Sequence, residues 1–367
     1  MRPSLARMTL RGFKTIRELK DFEPGRMTVL IGPNGAGKTN FLSFFRMLSC
    51  ALTGNLQTYT AMQGGASLLL HDGPTTTREV EAVLEIRADP DSCEYGFRLF
   101  HAAGDTLVFA DEWYRFRGPG QDRSVIQLGT GHREPKLIDD AESGNTMARF
   151  FLNMLRRTIV HQFHNTSLQS RIRNKWNADD GRRLEEDGAN LAPFLYRLLI
   201  YEPKYYKRIL ETLRLILPFF ESFELQPEYG HLLLRWHERG SGRTFSASQA
   251  GDGMLRAMAL VALLQQPELD LPDVLILDEP ELGLHPYAIE VLAALIQSAS
   301  LHTQVIVATQ SVSLIDRFEP HDIVVVDRTG RESIFRRLND AELSDWRKQY
   351  TMSELWEKNV LGGRPSR

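Results

Sequence analysis

A glycine-rich segment at residues 32–39, with the sequence GPNGAGKT, constrains the fold of this chain more than any other feature. Its spacing is GxxxxGK[ST]; the apolar stretch 26–31 before it is typical of a buried strand, and the stretch 40–48 after it is typical of a helix. A strand, a glycine-rich loop and a helix in this order form a phosphate-binding loop, or P-loop. The segment therefore predicts a nucleotide site within an α/β fold.

The residue types of this loop explain how it would hold phosphate. Its glycines allow successive backbone N–H groups to turn toward phosphate oxygens. Lys38 adds a mobile positive charge that also serves catalysis, and the helix that begins there directs its N–H groups at the same phosphates. The Thr39 hydroxyl can ligate Mg²⁺. We expect nucleotide contacts along the whole loop and the first helical turn, from Gly32, Pro33, Asn34, Gly35, Ala36, Gly37, Lys38, Thr39 and Asn40.

Composition limits the class of protein. The chain has 367 residues, enough for one large α/β domain or two to three lobes, and a net charge of −3, which argues against a protein that binds nucleic acid over its whole surface. Its two cysteines, Cys50 and Cys93, indicate neither a disulfide framework nor a cysteine zinc site. We find no secretory leader and no apolar run long enough to span a bilayer, so we expect a cytoplasmic protein without a membrane partner.

The spacing of apolar residues changes along the chain and predicts its organisation. Residues 80–86 alternate between apolar and charged, as in a half-solvated antiparallel strand, whereas residues 206–217 have the spacing of an amphipathic helix. No sustained heptad pattern indicates long coiled-coil arms. We expect four segments: 1–74 as the N-terminal half of the nucleotide-binding core, 75–157 as a β-rich lobe, 158–245 as a helical lobe, and 246–367 as the C-terminal half of the core.

Three short apolar runs in the last third, 274–277, 305–308 and 323–326, predict central parallel strands. The first run is followed by Asp278 and Glu279, at the strand end where open α/β sheets place ligands. This is the Walker B pattern, in which the aspartate would hold Mg²⁺ and the glutamate would act as general base on the attacking water. An acidic cap on the next helix is the alternative.

Further segments carry a resemblance to a known group. The loop 246–256, the segment 281–286 and the strand end 308–311 resemble, respectively, the signature, D-loop and switch regions of the ABC-type ATPase heads of SMC, RecF and OLD proteins. The stretches 161–167, 187–192 and 355–365 are similar to a subfamily of small predicted bacterial AAA-family ATPases of this type, without a coiled coil or Toprim domain.

This resemblance implies the fold class and the dimeric mechanism. The fold would be a P-loop NTPase of the α/β class, an ABC-type ATPase head with a mixed sheet core, an antiparallel β lobe and a helical lobe. Two heads would sandwich two ATP molecules, with Mg²⁺, in a homodimer or higher homo-oligomer. Each signature would bind the ATP of the opposite subunit through Gly251, Asp252, Gly253 and Met254.

Two positions depart from the pattern of that group. Gly251 stands where the signature usually has serine, so a hydroxyl contact is missing, and Gln310 stands where the switch usually has histidine, so that side chain cannot gain a positive charge. The departures concern turnover more than binding, and we retain Gln310 as a catalytic residue. Gln162 is the first candidate for the nucleotide-binding Q-loop residue and His164 the second, although each can instead be structural.

Basic residues concentrate in the middle of the chain and would suit either a DNA-contacting face or ordinary solvated helices. The cluster comprises Arg149, Arg156, Arg157, Arg171, Arg173, Lys175, Arg182 and Arg183, with Trp176 among them.

The first functional hypothesis is an Mg²⁺-dependent ATPase that acts as a nucleotide-gated dimerisation switch in anti-phage defence or DNA repair. Only 57 residues follow Gln310, too few for an appended Toprim domain, so we expect a separate effector, a Toprim or HNH nuclease. The alternatives are an ATP-binding scaffold or sensor with little turnover, and the ATPase subunit of a transporter.

Overall fold

A computed structural model describes residues 2–88, 91–118, 121–122, 125–339, 343, 349–358 and 360. Residues 89 and 90 lie outside this part of the chain, as do residues 359 and 361–365 of the stretch 355–365. None of the helices in the described part is long and apolar enough to cross a membrane.

The described elements follow one another in this order: β1 (Ser4–Phe13), β2 (Ile16–Phe22), β3 (Met27–Ile31), α1 (Lys38–Ala51), α2 (Leu56–Met62), β4 (Glu79–Ala88), β5 (Asp91–Ala102), β6 (Thr106–Gly118), β7 (Gln121–Asp122), β8 (Ile126–Gly129), α3 (Lys136–Glu142), α4 (Thr146–Arg156), β9 (Thr158–His161), β10 (Trp176–Asn177), α5 (Leu191–Tyr201), α6 (Pro203–Ile216), β11 (Phe220–Glu224), β12 (His231–Leu232), β13 (Arg235–Glu238), β14 (Thr244–Ser246), α7 (Asp252–Leu264), β15 (Val274–Asp278), α8 (Pro286–Ser300), β16 (Gln304–Thr309), α9 (Val312–Ile315), β17 (Ile323–Thr329), β18 (Glu332–Arg337) and α10 (Met352–Glu357).

The central sheet has six strands in the order β18-β17-β3-β16-β15-β9. All neighbours are parallel except β18, which pairs antiparallel with β17 at one edge. Every residue of β3, β15 and β16 is buried, which explains their continuous apolar composition and confirms the central parallel strands predicted from the sequence. The carboxyl ends of β3, β15 and β16 therefore meet at one edge of the sheet.

The side chains of these strands alternate between two cores. Val29, Leu275 and Val305 pack on one face of the sheet together with α5, α6, α7 and α8. Leu30 and Ile276 pack on the other face against α1 and the second sheet. Both faces of the central sheet are thus covered, and its strands form a fixed support for the loops at their ends.

The second sheet is antiparallel, with the order β2-β1-β4-β5-β6-β7 and β8 paired to β6. In β4, Val80, Ala82, Leu84 and Ile86 are fully buried while the residues between them are partly exposed, which confirms the predicted half-solvated strand. The first strand, β1, pairs with β4, so the sheet crosses the boundary expected at residues 74/75. Alternation of buried and exposed residues along β1 suits this half-solvated sheet better than the central one.

The third part combines α5, α6 and α7 with a small sheet of order β11-β13-β14. The predicted amphipathic helix is present as α6, with Tyr206, Ile209 and Leu213 buried. Residues 232–236 contribute to two strands, because Leu232 pairs with β10 whereas Trp236 pairs with β11 and β14. Two different partners divide what the apolar alternation presents as one strand.

Candidate functional site

The glycine-rich loop occupies the turn from β3 into α1, the two elements predicted to flank it. Gly37 has φ +115°, and a Cβ there would lie 1.9 Å from Ser333 Oγ. A Cβ on Gly32 would lie 2.1 Å from the Val326 carbonyl oxygen. Glycine is required at both positions because the loop packs directly against β17 and β18.

Two hydroxyl groups distant in sequence brace this loop. Ser333 Oγ lies 2.6 Å from the Ala36 carbonyl oxygen and 2.6 Å from Thr15 Oγ1. Asn40 Nδ2 donates to the same Thr15 oxygen at 2.8 Å. Sequence reasoning missed Thr15 and Ser333, because no motif marks a contact between the turn after β1, the loop and β18.

The Lys38 ammonium is buried at the mouth of the loop, where Nζ donates to the Gly32 carbonyl at 2.5 Å and to the Pro33 carbonyl at 3.1 Å. Burial lowers the pKa of Lys38, and the carboxylates of Glu279, Glu281 and Asp278 oppose that change. A cavity of about 100 Å³ beside it is lined by the loop residues 33–35 and 37–40 and by Glu279. The structure thus brings the predicted base to the predicted phosphate loop.

Asp278 ends β15 and is almost fully buried. Its Oδ2 accepts from Gln162 Nε2 at 3.0 Å and from Arg46 at 3.3 Å, and its carbonyl oxygen lies 3.0 Å from His164 Nε2. Both Q-loop candidates therefore contact Asp278. Arg46 was missed by sequence reasoning, although a lone arginine in the apolar stretch of α1 was an available signal.

The donor set around Asp278 suits magnesium. Mg²⁺ prefers oxygen ligands and usually takes one or two carboxylates together with phosphate oxygens and water. The Asp278 carboxylate and the exposed Thr39 hydroxyl, which follows Lys38 at the start of α1, are ligands of that kind. Among the described residues, no group of three or more histidines, cysteines and carboxylates could hold a metal without the nucleotide.

Glu279 follows with φ +42°, an unusual conformation for a residue with a side chain. Its N–H donates to the Ala308 carbonyl at 2.8 Å, and its Oε1 accepts from Gln310 Nε2 at 3.0 Å. His164 Nε2 is 3.9 Å from its other carboxylate oxygen. The carboxyl group is thus oriented from two sides, by the end of β16 and by the loop after β9.

Glu281 links the segment after β15 to the end of β16. Thr309 Oγ1 donates to Glu281 Oε1 at 2.5 Å, and the Gln310 N–H lies 3.4 Å from the same oxygen. Burial raises the pKa of Glu281, against the effect of these hydrogen bonds. Sequence reasoning placed Glu281 in the D-loop region without assigning it this contact.

Residues 251–254 begin α7, with Gly251 at the cap position, but they are not among the residues that line the cavity beside the P-loop of the same chain. A Cβ at position 251 would meet no atom within 4 Å, so packing within the chain does not require glycine there. Arg173, with a side chain 6% exposed, donates to the Thr166, Ala247 and Ala250 carbonyls and fixes this segment.

The members of the basic cluster in the middle of the chain differ in exposure. Besides Arg173, Arg156 donates to the Leu52 carbonyl, and Arg157 donates to a backbone carbonyl and pairs with Asp273 at 3.1 Å. Arg173 is therefore too buried for a phosphate contact, whereas carbonyls orient Arg156 and Arg157, which stay at least partly exposed. Arg171 differs, since its side chain is 53% exposed, pairs with Asp187 and lies over the Trp176 ring at 4.9 Å from its centroid.

Comparisons with known proteins bear on the family and the fold of this chain. A family model described as "AAA domain, putative AbiEii toxin, Type IV TA system" matches residues 27–316. A search of curated protein sequences gives no match. An Smc head bound to the C-winged helix domain of ScpA is similar with TM-score 0.61 and 16% identity, over 92% of this chain and 99% of that chain.

Two further structures match over nearly the same length. The SMC head domain from Thermotoga maritima has TM-score 0.50 and 15% identity, covering 92% of this chain and 100% of that chain. An Smc head with an extended coiled coil, bound to the C-terminal domain of ScpA derived from Pyrococcus furiosus, has TM-score 0.56 and 14% identity, covering 95% and 99%. At these identities the likeness establishes the fold, and it confirms the expected α/β head of P-loop, ABC type.

Proposed function

The chain belongs to the AAA-domain family that its residues 27–316 match, and from this premise we propose that it binds Mg·ATP, hydrolyses it and uses the nucleotide to control its own dimerisation. The observation that carries the proposal is the meeting of three segments at one sheet edge. The P-loop after β3, Glu279 after β15 and Gln310 after β16 lie together there, and Gln310 contacts the glutamate at 3.0 Å.

Each residue then has a role that suits its position. Residues 32–40 hold the phosphates, with Lys38 neutralising their charge, while Thr39 and Asp278 hold Mg²⁺. The bound metal would neutralise charge on the transferred phosphoryl group. Glu279 accepts a proton from the attacking water, and Gln310, as a neutral donor, orients the glutamate.

A second copy of the chain would complete the site. Residues 251–254, at the amino end of α7, do not line the cavity beside the P-loop of their own chain. The backbone N–H groups at a helix start attract anions. In a head-to-head dimer they would meet the γ-phosphate held by the other subunit, so ATP would favour the dimer and hydrolysis would release it.

We further propose that this switch acts in defence or DNA repair through a separate effector protein. The family description names a putative toxin of a toxin–antitoxin system, and two of the similar heads are bound to domains of ScpA. Both support a head that passes its nucleotide state to another protein. A nuclease would be one such effector.

The test of this proposal is isothermal calorimetry of Mg·ATP binding, combined with light scattering to measure mass. Lys38→Ala should abolish tight binding and the ATP-dependent dimer, because it removes the buried ammonium at the loop mouth. Lys207→Ala is the matched control, since that lysine is 78% exposed on α6. Unchanged ATP affinity in Lys38→Ala would refute the assignment of the P-loop. A wild-type protein that stays monomeric at saturating ATP would refute the proposed ATP-dependent dimer.

A further inference from the structure

A groove of about 790 Å³ lies on the side of the molecule opposite the P-loop. Arg26 immediately precedes β3 and Gln304 begins β16, so the groove is at the amino ends of the central parallel strands. Parts of β1 and β4 form its other wall. Five arginines line it, Arg2, Arg7, Arg26, Arg87 and Arg337, against two carboxylates, Glu23 and Glu85.

Backbone carbonyls hold two of these arginines in place. Arg26 donates to the Ser300 carbonyl at 2.8 Å and to the Leu301 carbonyl at 2.6 Å, while Arg337 donates to the His321 carbonyl at 2.7 Å and to that of Glu23 at 2.8 Å. A carbonyl orients a guanidinium but does not cancel its charge. The two cations are therefore fixed before any ligand arrives.

Both carboxylates of the lining lie within 4 Å of one arginine. Arg7 lies 3.2 Å from Glu85 and 3.9 Å from Glu23. Within the described part of the chain, Arg26, Arg87 and Arg337 form no ion pair. Arg2 and Arg7 also have carboxylate partners outside the lining, Asp273 at 4.0 Å and Asp21 at 3.9 Å. The guanidiniums that remain without an ion pair among the described residues of the groove are thus the three of Arg26, Arg87 and Arg337, on a chain whose net charge is −3.

Burial adds to the attraction for an anion. It lowers the pKa of Arg337, although Asp322 and Glu23 act in the opposite direction, and it lowers that of Arg2 against the effect of Asp273. The charged guanidiniums are thus partly deprived of water without full compensation by carboxylates. A bound anion would supply the missing interaction.

We propose that this groove binds the phosphodiester backbone of a nucleic acid, independently of the nucleotide site. Arginine forks match the geometry of phosphate oxygens. No aromatic residue is present in the lining that the structure describes, so nothing there would stack on a base, and the expected contact is to the backbone irrespective of sequence. Three guanidiniums without an ion pair lie in one groove, which agrees with a local contact on an acidic protein.

The experiment measures fluorescence anisotropy of an oligonucleotide of about 20 nucleotides without terminal phosphate, single- or double-stranded, between about 50 and 200 mM KCl. Arg87→Gln removes an exposed cation with no ion pair. The slope of the logarithm of the duplex binding constant against the logarithm of the salt concentration should become shallower by about 0.9 in this variant, and by about 1.8 in the double variant with Arg26→Gln. Arg239→Gln is the control, because it makes the same charge change at an exposed position after β13.

Loss of affinity and slope in the groove variants, with wild-type behaviour of Arg239→Gln, is the expected result. Equal weakening by all three variants, or no binding of either oligonucleotide by the wild type, overturns the proposal. Calorimetric binding of tripolyphosphate or poly-glutamate by a protein that binds neither oligonucleotide also overturns it, since the ligand would then be a free polyanion or an acidic peptide. ATP binding is measured separately, so failure here leaves the proposed ATPase intact.

Discussion

Replacing Glu279 by glutamine separates the charge of this side chain from its shape. Glutamine is nearly isosteric, and its amide oxygen can accept the same bond from Gln310 Nε2, which is 3.0 Å long in the wild type. The side chain is only 19% exposed, so the neighbouring contacts should keep it in place. The change therefore removes the proton acceptor and leaves the positive-φ turn supported.

The size of the effect follows from the role of a general base. Such a group contributes about 10² to 10⁴ in rate, which corresponds to about 3 to 5 kcal/mol of transition-state free energy. ATP affinity should stay equal or increase, because the carboxylate lines the cavity beside the phosphate loop and repels anions. We expect an ATP-bound dimer that hydrolyses slowly.

Single-turnover hydrolysis of radiolabelled ATP, with enzyme in excess, measures the chemical step, and calorimetry measures affinity. Glu290→Gln is the matched control, because that residue is 53% exposed on α8 and pairs with Arg317. Hydrolysis by Glu279→Gln at the wild-type rate, with unchanged affinity, would refute the assignment of the base. Loss of ATP binding instead would show that the carboxylate serves binding.

Two further predictions concern stability. Arg173→Met should lower the free energy of unfolding by about 3 kcal/mol in urea titration, because buried carbonyls lose their donor. The control Arg171→Met, at an exposed position, should change this free energy by less than about 1 kcal/mol. Similar losses in the two variants would show that Arg173 is not a structural donor. Burial lowers the pKa of His161 from 6.5 to about 4, so the unfolded chain gains a proton first as pH falls below 6.5 and stability decreases toward pH 4. At pH 5 this loss is about 2 kcal/mol relative to pH 7, and His161→Leu should lack that share of the pH dependence; an equal dependence in both proteins would assign it to other groups.

The parts of the fold that follow local rules were predictable from sequence. The apolar run 274–277 indicates a buried parallel strand because both of its faces are covered, and the alternation of 80–86 indicates a strand with one covered face. Asp278 and Glu279 then follow from their place at a strand end. These inferences need only the neighbouring residues in the chain.

What depends on distant partners was not predictable. Arg173 reads as a surface cation in a basic stretch, but it is buried because the carbonyls of residues 166, 247 and 250 converge on it. From the sequence, Arg46 is one polar residue of α1, and only the folded structure places it next to Asp278. The break between Leu232 and Trp236 likewise reflects two strand partners that no periodicity reveals.

The hydroxyl contacts of Thr15 and Ser333 have a consequence for how this protein can be divided. Both residues lie outside 27–316, the stretch that defines its family, yet they hold Ala36 and Asn40 within the phosphate loop. A fragment cut to the family boundaries would also lose β1, β2 and β18, against which the loop and its helix pack. The phosphate loop therefore cannot keep its geometry as an isolated fragment, because residues that precede the family region and residues that follow it both hold the loop in place.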